Sequence, residues 1–276
     1  MRPRAVRRLP GTLVLGGLLV GVVVVAALVS LLWTPYDPTV VDSASRLLAP
    51  SAEHWLGTDD FGRDILSSLL VGARTTLLVG VVAVAVAAVI GIPVGVSAGM
   101  RPGAADEVLM RGNDVLLAFP ALLLAIVFAA VWGGSTLTAM TALGIGAAPG
   151  FARVARAGTR QVMSQDYVLA ARACGQAPSR IAIRHVLPNI SSELIVQASV
   201  TFAIAVLAEA ALSYLGFGTP PPTPSWGRML QESQPYLYLQ PMVMLWPGLA
   251  IALTVLGFNL LGDGLRDRLD PRAVRS

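Results

Sequence analysis

The chain has 276 residues, of which 55% are hydrophobic and only 13% are charged, against about 25% charged residues in an average soluble protein. This composition leaves no long polar block for a soluble domain and predicts an all-α polytopic membrane protein. The formal charge of +4 comes without a basic patch interleaved with aromatic residues, so nucleic-acid binding is not expected and membrane topology explains the arginines better.

Several classes of site are excluded by residues that the chain lacks. All 20 basic residues are arginine, and the usual ATP-binding P-loop needs a lysine, so any ATP must be bound elsewhere. The single cysteine, Cys174, excludes an intrachain disulfide and a cysteine metal cluster. The two histidines, His54 and His185, lie far apart with no metal-ligand spacing beside them, so no metal site is predicted.

Six apolar stretches predict transmembrane helices, because a helix needs about 20 such residues to cross the hydrocarbon core. They are residues 13–32, 75–100, 115–132, 137–152, 190–212 and 242–261. The first stretch follows four arginines, as a signal peptide would, but it is longer than the usual signal-peptide core and no convincing cleavage site follows. We therefore expect it to be retained as the first span.

The arginines predict the orientation, because cytoplasmic loops carry an excess of basic residues. With the N-terminus inside, 16 of the 20 arginines fall in inner segments, and only Arg46, Arg63, Arg74 and Arg228 fall outside. Both termini are thus predicted to be cytoplasmic. The chain divides into residues 1–74, with the first span and an extracytoplasmic segment, a five-helix core at 75–265, and a tail at 266–276.

Two long outer segments, residues 34–74 and 213–240, are predicted docking or gating elements. The first contains Asp59, Asp60 and Asp64, which lack the alternate spacing and the distal glutamate of an EF-hand calcium loop. We expect this cluster to cap a helix and to form salt bridges with Arg63.

Small and polar residues mark helix contacts within the spans. Gly91, Gly95 and Gly99 recur every fourth residue, which places them on one helix face and predicts close packing against another helix of the same subunit. In the fifth span, Glu209 and Gln197 are candidates for the transport pathway or its outer gate, because polar groups inside a membrane are costly and those that are present often have a function. For Glu209, a structural hydrogen bond to a neighbouring helix is the alternative.

Residues 166–189 form a polar, arginine-bearing island that must face water, and we call this segment the knob. Gly175 permits a turn and Pro178 suits the first position of a helix. The sequence therefore predicts two helices joined at a sharp turn on the cytoplasmic side.

The knob resembles the EAA loop of ABC-importer permeases. The shared pattern is Ala170-Ala171, three residues, Gly175, nine residues, and His-Val-Leu-Pro ending at Pro188. Three further stretches, residues 55–65, 210–227 and 247–271, resemble the C-type permease subunit of dipeptide, oligopeptide and nickel importers. Together the four stretches extend the resemblance over nearly the whole chain.

The resemblance implies a type I ABC importer permease fold with six transmembrane helices and an EAA coupling loop at residues 160–189. It implies a bacterial inner-membrane subunit that forms half of a pathway with a homologous B-type permease. Two ATPase domains would hold ATP and Mg²⁺, and an extracytoplasmic binding protein would deliver dipeptides or oligopeptides. Nickel or haem import by the same architecture stays open.

Carried onto this sequence, the coupling residues are Ala170, Ala171, Arg172, Gly175, Ser179, Arg180 and Arg184. The arginines would pair with acidic groups of the ATPase, although they serve equally well as topology signals. Leu169 stands at the position of the family's name-giving glutamate and His185 where isoleucine is favoured, so individual contacts do not transfer.

Two other function classes fit the sequence less well. A secondary transporter working alone would show paired inverted halves, helices broken at the midplane or buried charges for ion coupling, and none is convincing here. A membrane-embedded enzyme would need a catalytic constellation, and no catalytic residue is predicted.

Overall fold

The structure, a computed structural model, describes residues 11–269, so the four N-terminal arginines and the end of the predicted tail lie outside it. The described chain is helical. The α-helices are α1 Gly11–Leu32, α2 Ile65–Met100, α3 Ala104–Ala118, α4 Ala121–Trp132, α5 Thr136–Met163, α6 Asp166–Ala173, α7 Pro178–Ile181, α8 Leu187–Asn189, α9 Ser191–Tyr214, α10 Trp226–Ser233 and α11 Pro241–Leu269. A π-helical turn, Ala182–Val186, joins α7 to α8.

The long helices form a bundle with two distinct ends. The knob lies at one end, which we call the knob end. Residues 33–64 and 215–240 lie at the other end, and we call them the cap. The cap includes α10, and a hydrogen bond of 3.0 Å from Trp226 Nε1 to the Leu69 carbonyl holds α10 against α2.

The centre of the bundle is the contact between α2 and α5, and glycine makes it close. A methyl group at Gly91 would lie 2.3 Å from the Ala148 carbonyl oxygen, and one at Gly95 would lie 2.2 Å from that of Ala152. Gly99 faces Thr159 in the same way. The predicted glycine face is confirmed as a helix-packing surface within the subunit.

The third predicted span, residues 115–132, is wrong as a single helix. It contains the end of α3 and all of α4, whose axes meet at 81°. Phe119 is extended, with φ −88° and ψ 123°, and Pro120 follows it. Proline disfavours a helical conformation in the residue before it, so the Phe119-Pro120 step divides the span.

The other span boundaries differ less. α2 begins ten residues before the predicted start, at a helix N-terminus capped by Asp64, and α11 continues beyond the prediction to Leu269. Four described helices, α1, α2, α9 and α11, are long and apolar enough to cross a membrane, and the bent α3–α4 pair makes five if it counts as one span. The predicted span at 137–152 lies in α5, which runs on to Met163.

The number of membrane spans depends on whether α5 is counted as one. α5 is rich in alanine, glycine and threonine on the face that packs against α2, and it carries arginines in its second half, so it is less apolar than a lipid-facing helix. Six spans therefore stay a prediction.

Candidate functional site

The backbone of the knob has the predicted form. α6 ends at Ala173, Gly175 adopts a left-handed conformation with φ +72°, and α7 begins at Pro178. The Gly175 amide donates to the Arg172 carbonyl at 2.9 Å and the Gln176 amide to that of Ala171 at 3.1 Å. These bonds satisfy the last carbonyls of α6, as in other helix ends closed by glycine.

The buried side of the knob is joined to the long helices. Val168, Ile181 and Val186 of the knob are buried in one apolar cluster with Val96 of α2 and Val162 of α5. Since closely packed side chains resist relative displacement, the knob and the neighbouring ends of α2 and α5 form one mechanical unit.

Most of the predicted coupling residues lie on the outer surface of this unit. Ala171 is buried, whereas the other six are exposed: Ala170, Arg172, Gly175, Ser179, Arg180 and Arg184. Among the described residues, no carboxylate forms an ion pair with any of the three arginines. Arg172 Nη2 lies 4.0 Å from Met163 Sδ, a contact within the subunit.

Apolar side chains share this surface, which the sequence interpretation missed. Tyr167, Leu169 and Ile183 are all exposed. Helical spacing gave only a partial signal. Leu169 lies on the side of α6 away from Val168 and Ala171, whereas Tyr167 is one helical turn from Ala171, so spacing does not predict its exposure. The exposed knob surface therefore carries both apolar and basic side chains.

His185 lies behind this surface in the π-helical turn. Its Nε2 atom is buried and has no hydrogen-bond partner among the described residues, and its ring centroid lies 5.9 Å from that of Tyr167. Short π-helical turns occur often at functional sites, and sequence pattern gives no signal for them.

A second group that the sequence interpretation missed joins α3 to α5. The Asp106 side chain, only 8% exposed, accepts hydrogen bonds from Arg156 Nε at 2.5 Å and Nη2 at 2.7 Å, and it also accepts one from Arg160. Arg153 contacts Asp114 at 2.7 Å, but both of these side chains are exposed. The sequence interpretation had assigned the arginines to topology alone.

The two polar residues proposed for the pathway lie apart. Glu209 is 1% exposed and accepts a hydrogen bond of 2.7 Å from Ser213 Oγ, which itself accepts one from the Thr219 amide at 3.1 Å. Gln197 Nε2 donates to Thr201 Oγ1 at 3.1 Å. They are 12 residues apart on α9, or about 18 Å at the helical rise. The structure does not bring them into one site. The Glu209 bond to Ser213 lies within α9 and not between helices, so both roles considered for Glu209 stay predictions.

The acidic cluster in the cap forms the predicted hydrogen bonds at a helix N-terminus and the predicted salt bridges. Asp64 caps α2 by accepting from the Ser67 amide at 2.7 Å, and Arg63 Nε contacts Asp59 Oδ2 at 2.6 Å. Arg63 also bonds Glu232 of α10, a partner that the sequence interpretation had not included. The confirmed network thus ties the two separate segments of the cap together.

Asp60 is the member of this cluster whose carboxylate is incompletely hydrogen-bonded. Its Oδ1 atom is buried without a hydrogen-bond partner among the described residues. Burial, and then the nearby charges of Asp59 and Glu232, raise the pKa of the Asp60 carboxyl, and Arg63 offsets only part of this effect.

Comparison with known proteins assigns the family. The model of the family described as "Binding-protein-dependent transport system inner membrane component" matches residues 91–275. The chain belongs to this family. It is accordingly a multi-pass membrane permease, a transport component rather than an enzyme.

Relatives resemble this permease over almost its whole length. The dipeptide transport system permease protein DppC of Alkalihalophilus pseudofirmus is 40% identical over 94% of this chain and 85% of its own. The di/tripeptide transport system permease protein DppC of Pseudomonas aeruginosa is 42% identical over 94% and 88%. The glutathione transport system permease protein GsiD of Salmonella paratyphi A is 43% identical over 98% and 89%.

A solved structure shows the fold of this permease. The MetNI methionine ABC transporter in inward-facing conformations matches 72% of this chain and 94% of its own, with a TM-score of 0.59 and 22% identity. The likeness shows the type I ABC importer permease fold.

Proposed function

We propose that this permease imports dipeptides or oligopeptides, as half of a pathway formed with a homologous B-type permease subunit. The observation that carries the proposal is the near full-length similarity to permeases whose names specify dipeptides, di/tripeptides and glutathione, which are all short peptides. An extracytoplasmic binding protein would deliver the peptide at the cap.

The knob would dock an ATPase subunit, which would bind the ATP and Mg²⁺ that this lysine-free chain has no P-loop to hold. Its chemistry supports this role. The exposed apolar side chains would enter a groove of the ATPase, and the exposed arginines Arg172, Arg180 and Arg184 would meet acidic groups beside it. The apolar cluster beneath would carry movement of the knob into α2 and α5.

The orientation follows from this role, with the knob end cytoplasmic and the cap outside. Contacts between helices support placing both termini on the cytoplasmic side. A methyl group at Gly264 of α11 would lie 2.6 Å from the Leu13 Cα of α1, so the two described chain ends lie together. Gly262 faces Ser199 in the first half of α9, the half that adjoins the knob.

Substitution of Gly175 tests the coupling role. A leucine at φ +72° costs about 1–2 kcal/mol and shifts the turn, whereas asparagine tolerates this conformation. We expect Gly175→Leu to insert normally in the membrane but to lose pull-down of the ATPase and transport. Gly175→Asn, the matched control, should retain both.

The measurement is uptake of labelled dipeptide by proteoliposomes that contain both permeases and the ATPase, with the binding protein added. Wild-type transport by Gly175→Leu would refute the coupling role. Uptake of nickel or haem without any peptide uptake would refute the proposed substrate class and leave the coupling role standing.

A further inference from the structure

An ionic joint, in which the carboxylate is buried and the two arginines are partly exposed, links α3 to the part of α5 that leads into the knob. Asp106 lies in the first turn of α3, and its two partners, Arg156 and Arg160, lie one helical turn apart on α5. Arg156 donates hydrogen bonds to both carboxylate oxygens of Asp106, from Nε at 2.5 Å and from Nη2 at 2.7 Å. Bidentate hydrogen bonds between arginine and a carboxylate are both strong and geometrically specific.

The α5 side of this joint is packed against the knob. Arg160 belongs to the last turn of α5, and its neighbours Val162 and Met163 are buried in the apolar cluster that holds the knob. α5 is continuous through this region, so its last turns are rigidly connected to Arg156 and Arg160. A force applied to the knob therefore reaches both arginines.

The α3 side of the joint leads to α4. Only Phe119 and Pro120 separate the two helices, which meet at 81°. α4 is twelve residues long and packs through Ala125 into the cluster at the centre of the bundle. Because the connection is so short, a shift of α3 along α5 must change the position of α4.

We propose that Asp106 is a positioning residue that transmits movement of the knob through α3 to α4, and so couples ATP hydrolysis to opening of the transport pathway. This inference rests on the proposed docking of an ATPase at the knob. The nearby pair of Asp114 and Arg153 joins the same two helices, but its side chains are 61% and 59% exposed. Exposed pairs contribute little, so Asp114 provides a matched control.

The test compares Asp106→Asn with Asp114→Asn in the complete reconstituted complex. Two quantities are measured: ATP hydrolysed and labelled dipeptide transported. We expect Asp106→Asn to assemble and to hydrolyse ATP, but to consume about fivefold more ATP or more per peptide, the lower end of typical coupling between sites. Asp114→Asn should keep the parent ratio.

Spin labels on the knob and on α4 show which of the two still moves in response to ATP. A label on Cys174, the single native cysteine and an exposed residue of the knob, reports the response of the knob to ATP. A label at Val127→Cys in a Cys174→Ser background reports that of α4, where Val127 is exposed. In Asp106→Asn the knob should still respond to ATP, and α4 should not.

Two results would overturn the proposal. One is an unchanged ratio of ATP to peptide in Asp106→Asn. The other is a parallel loss of hydrolysis and transport at a constant ratio, which a merely structural role would give. If the complex that contains Asp106→Asn fails to assemble, Arg160→Gln is measured in its place. This variant removes one contact of Asp106 and leaves the two hydrogen bonds from Arg156. Only complexes that bind the ATPase are scored, and failure of the parent complex to bind it would count against the proposed function instead.

Discussion

Replacing Gly95 with alanine should weaken the central helix pair of this permease. The new methyl group would lie 2.2 Å from the Ala152 carbonyl oxygen and 2.8 Å from the Ala155 methyl group, whereas ordinary contact begins at 3.4 Å. The helices would have to separate by roughly 1 Å to relieve the closest contact. The obstructing oxygen belongs to the backbone of α5, so no side-chain rotation can make room.

The magnitude follows from this geometry. Overpacking a well-packed core usually costs about 1–3 kcal/mol, and we expect the upper end because backbone atoms must move. At about 2–4 °C per kcal/mol for a chain of this size, about 3 kcal/mol lowers the thermal midpoint by roughly 6–12 °C. The same helix separation should also weaken the contacts that Gly91 and Gly99 make with α5, since all three glycines face that helix.

Thermal unfolding of the purified permease in detergent, followed by tryptophan fluorescence, measures this shift. Gly112→Ala is the control, because Gly112 lies within α3 and a methyl group there meets nothing within 4 Å. Alanine in a helix is about 0.5–1 kcal/mol more favourable than glycine, so the control should keep or raise the midpoint. Equal midpoints for the two variants would refute the packing argument.

Two further predictions concern buried carboxylates. Because the pKa of Asp60 is raised in the folded cap, its ionisation destabilises the cap as pH rises above the ordinary value of 3.8. Asp60→Asn should therefore increase hydrogen-exchange protection of residues 33–64 at pH 7 but not at pH 3.5, and equal protection at pH 7 would contradict this. Glu209→Gln should transport normally because it still accepts from Ser213, whereas Glu209→Ala should lose about 1–3 kcal/mol of stability. Reduced transport by a stable Glu209→Gln would instead place this carboxylate in the pathway.

Local features of the sequence predicted much of the knob and of the helices. Gly175 and Pro178 define a turn and a helix start through backbone preferences that do not depend on distant residues. Apolar length similarly predicted most spans. The same local chemistry was available at Phe119-Pro120, and the division of the third span was missed because hydropathy alone was followed there.

The positions of partners could not be predicted in the same way. The glycine spacing on α2 indicated a packing face, but nothing in it identifies Ala148 and Ala152 of α5 as the opposing surface. Asp59 and Arg63 are neighbours in sequence and their salt bridge was expected, whereas Glu232 is 169 residues from Arg63. Only chain folding brings the two cap segments together.

Sequence alone determined that this is a polytopic membrane protein whose sequence has no lysine for a P-loop, and that the knob is a polar turn between two helices. These properties follow from composition and from the conformational preferences of single residues. Only the tertiary structure decided that Asp106 meets Arg156 and Arg160, 50 and 54 residues away. The reason is that helix packing, and not local sequence, selects which of the 20 arginines reaches a given carboxylate.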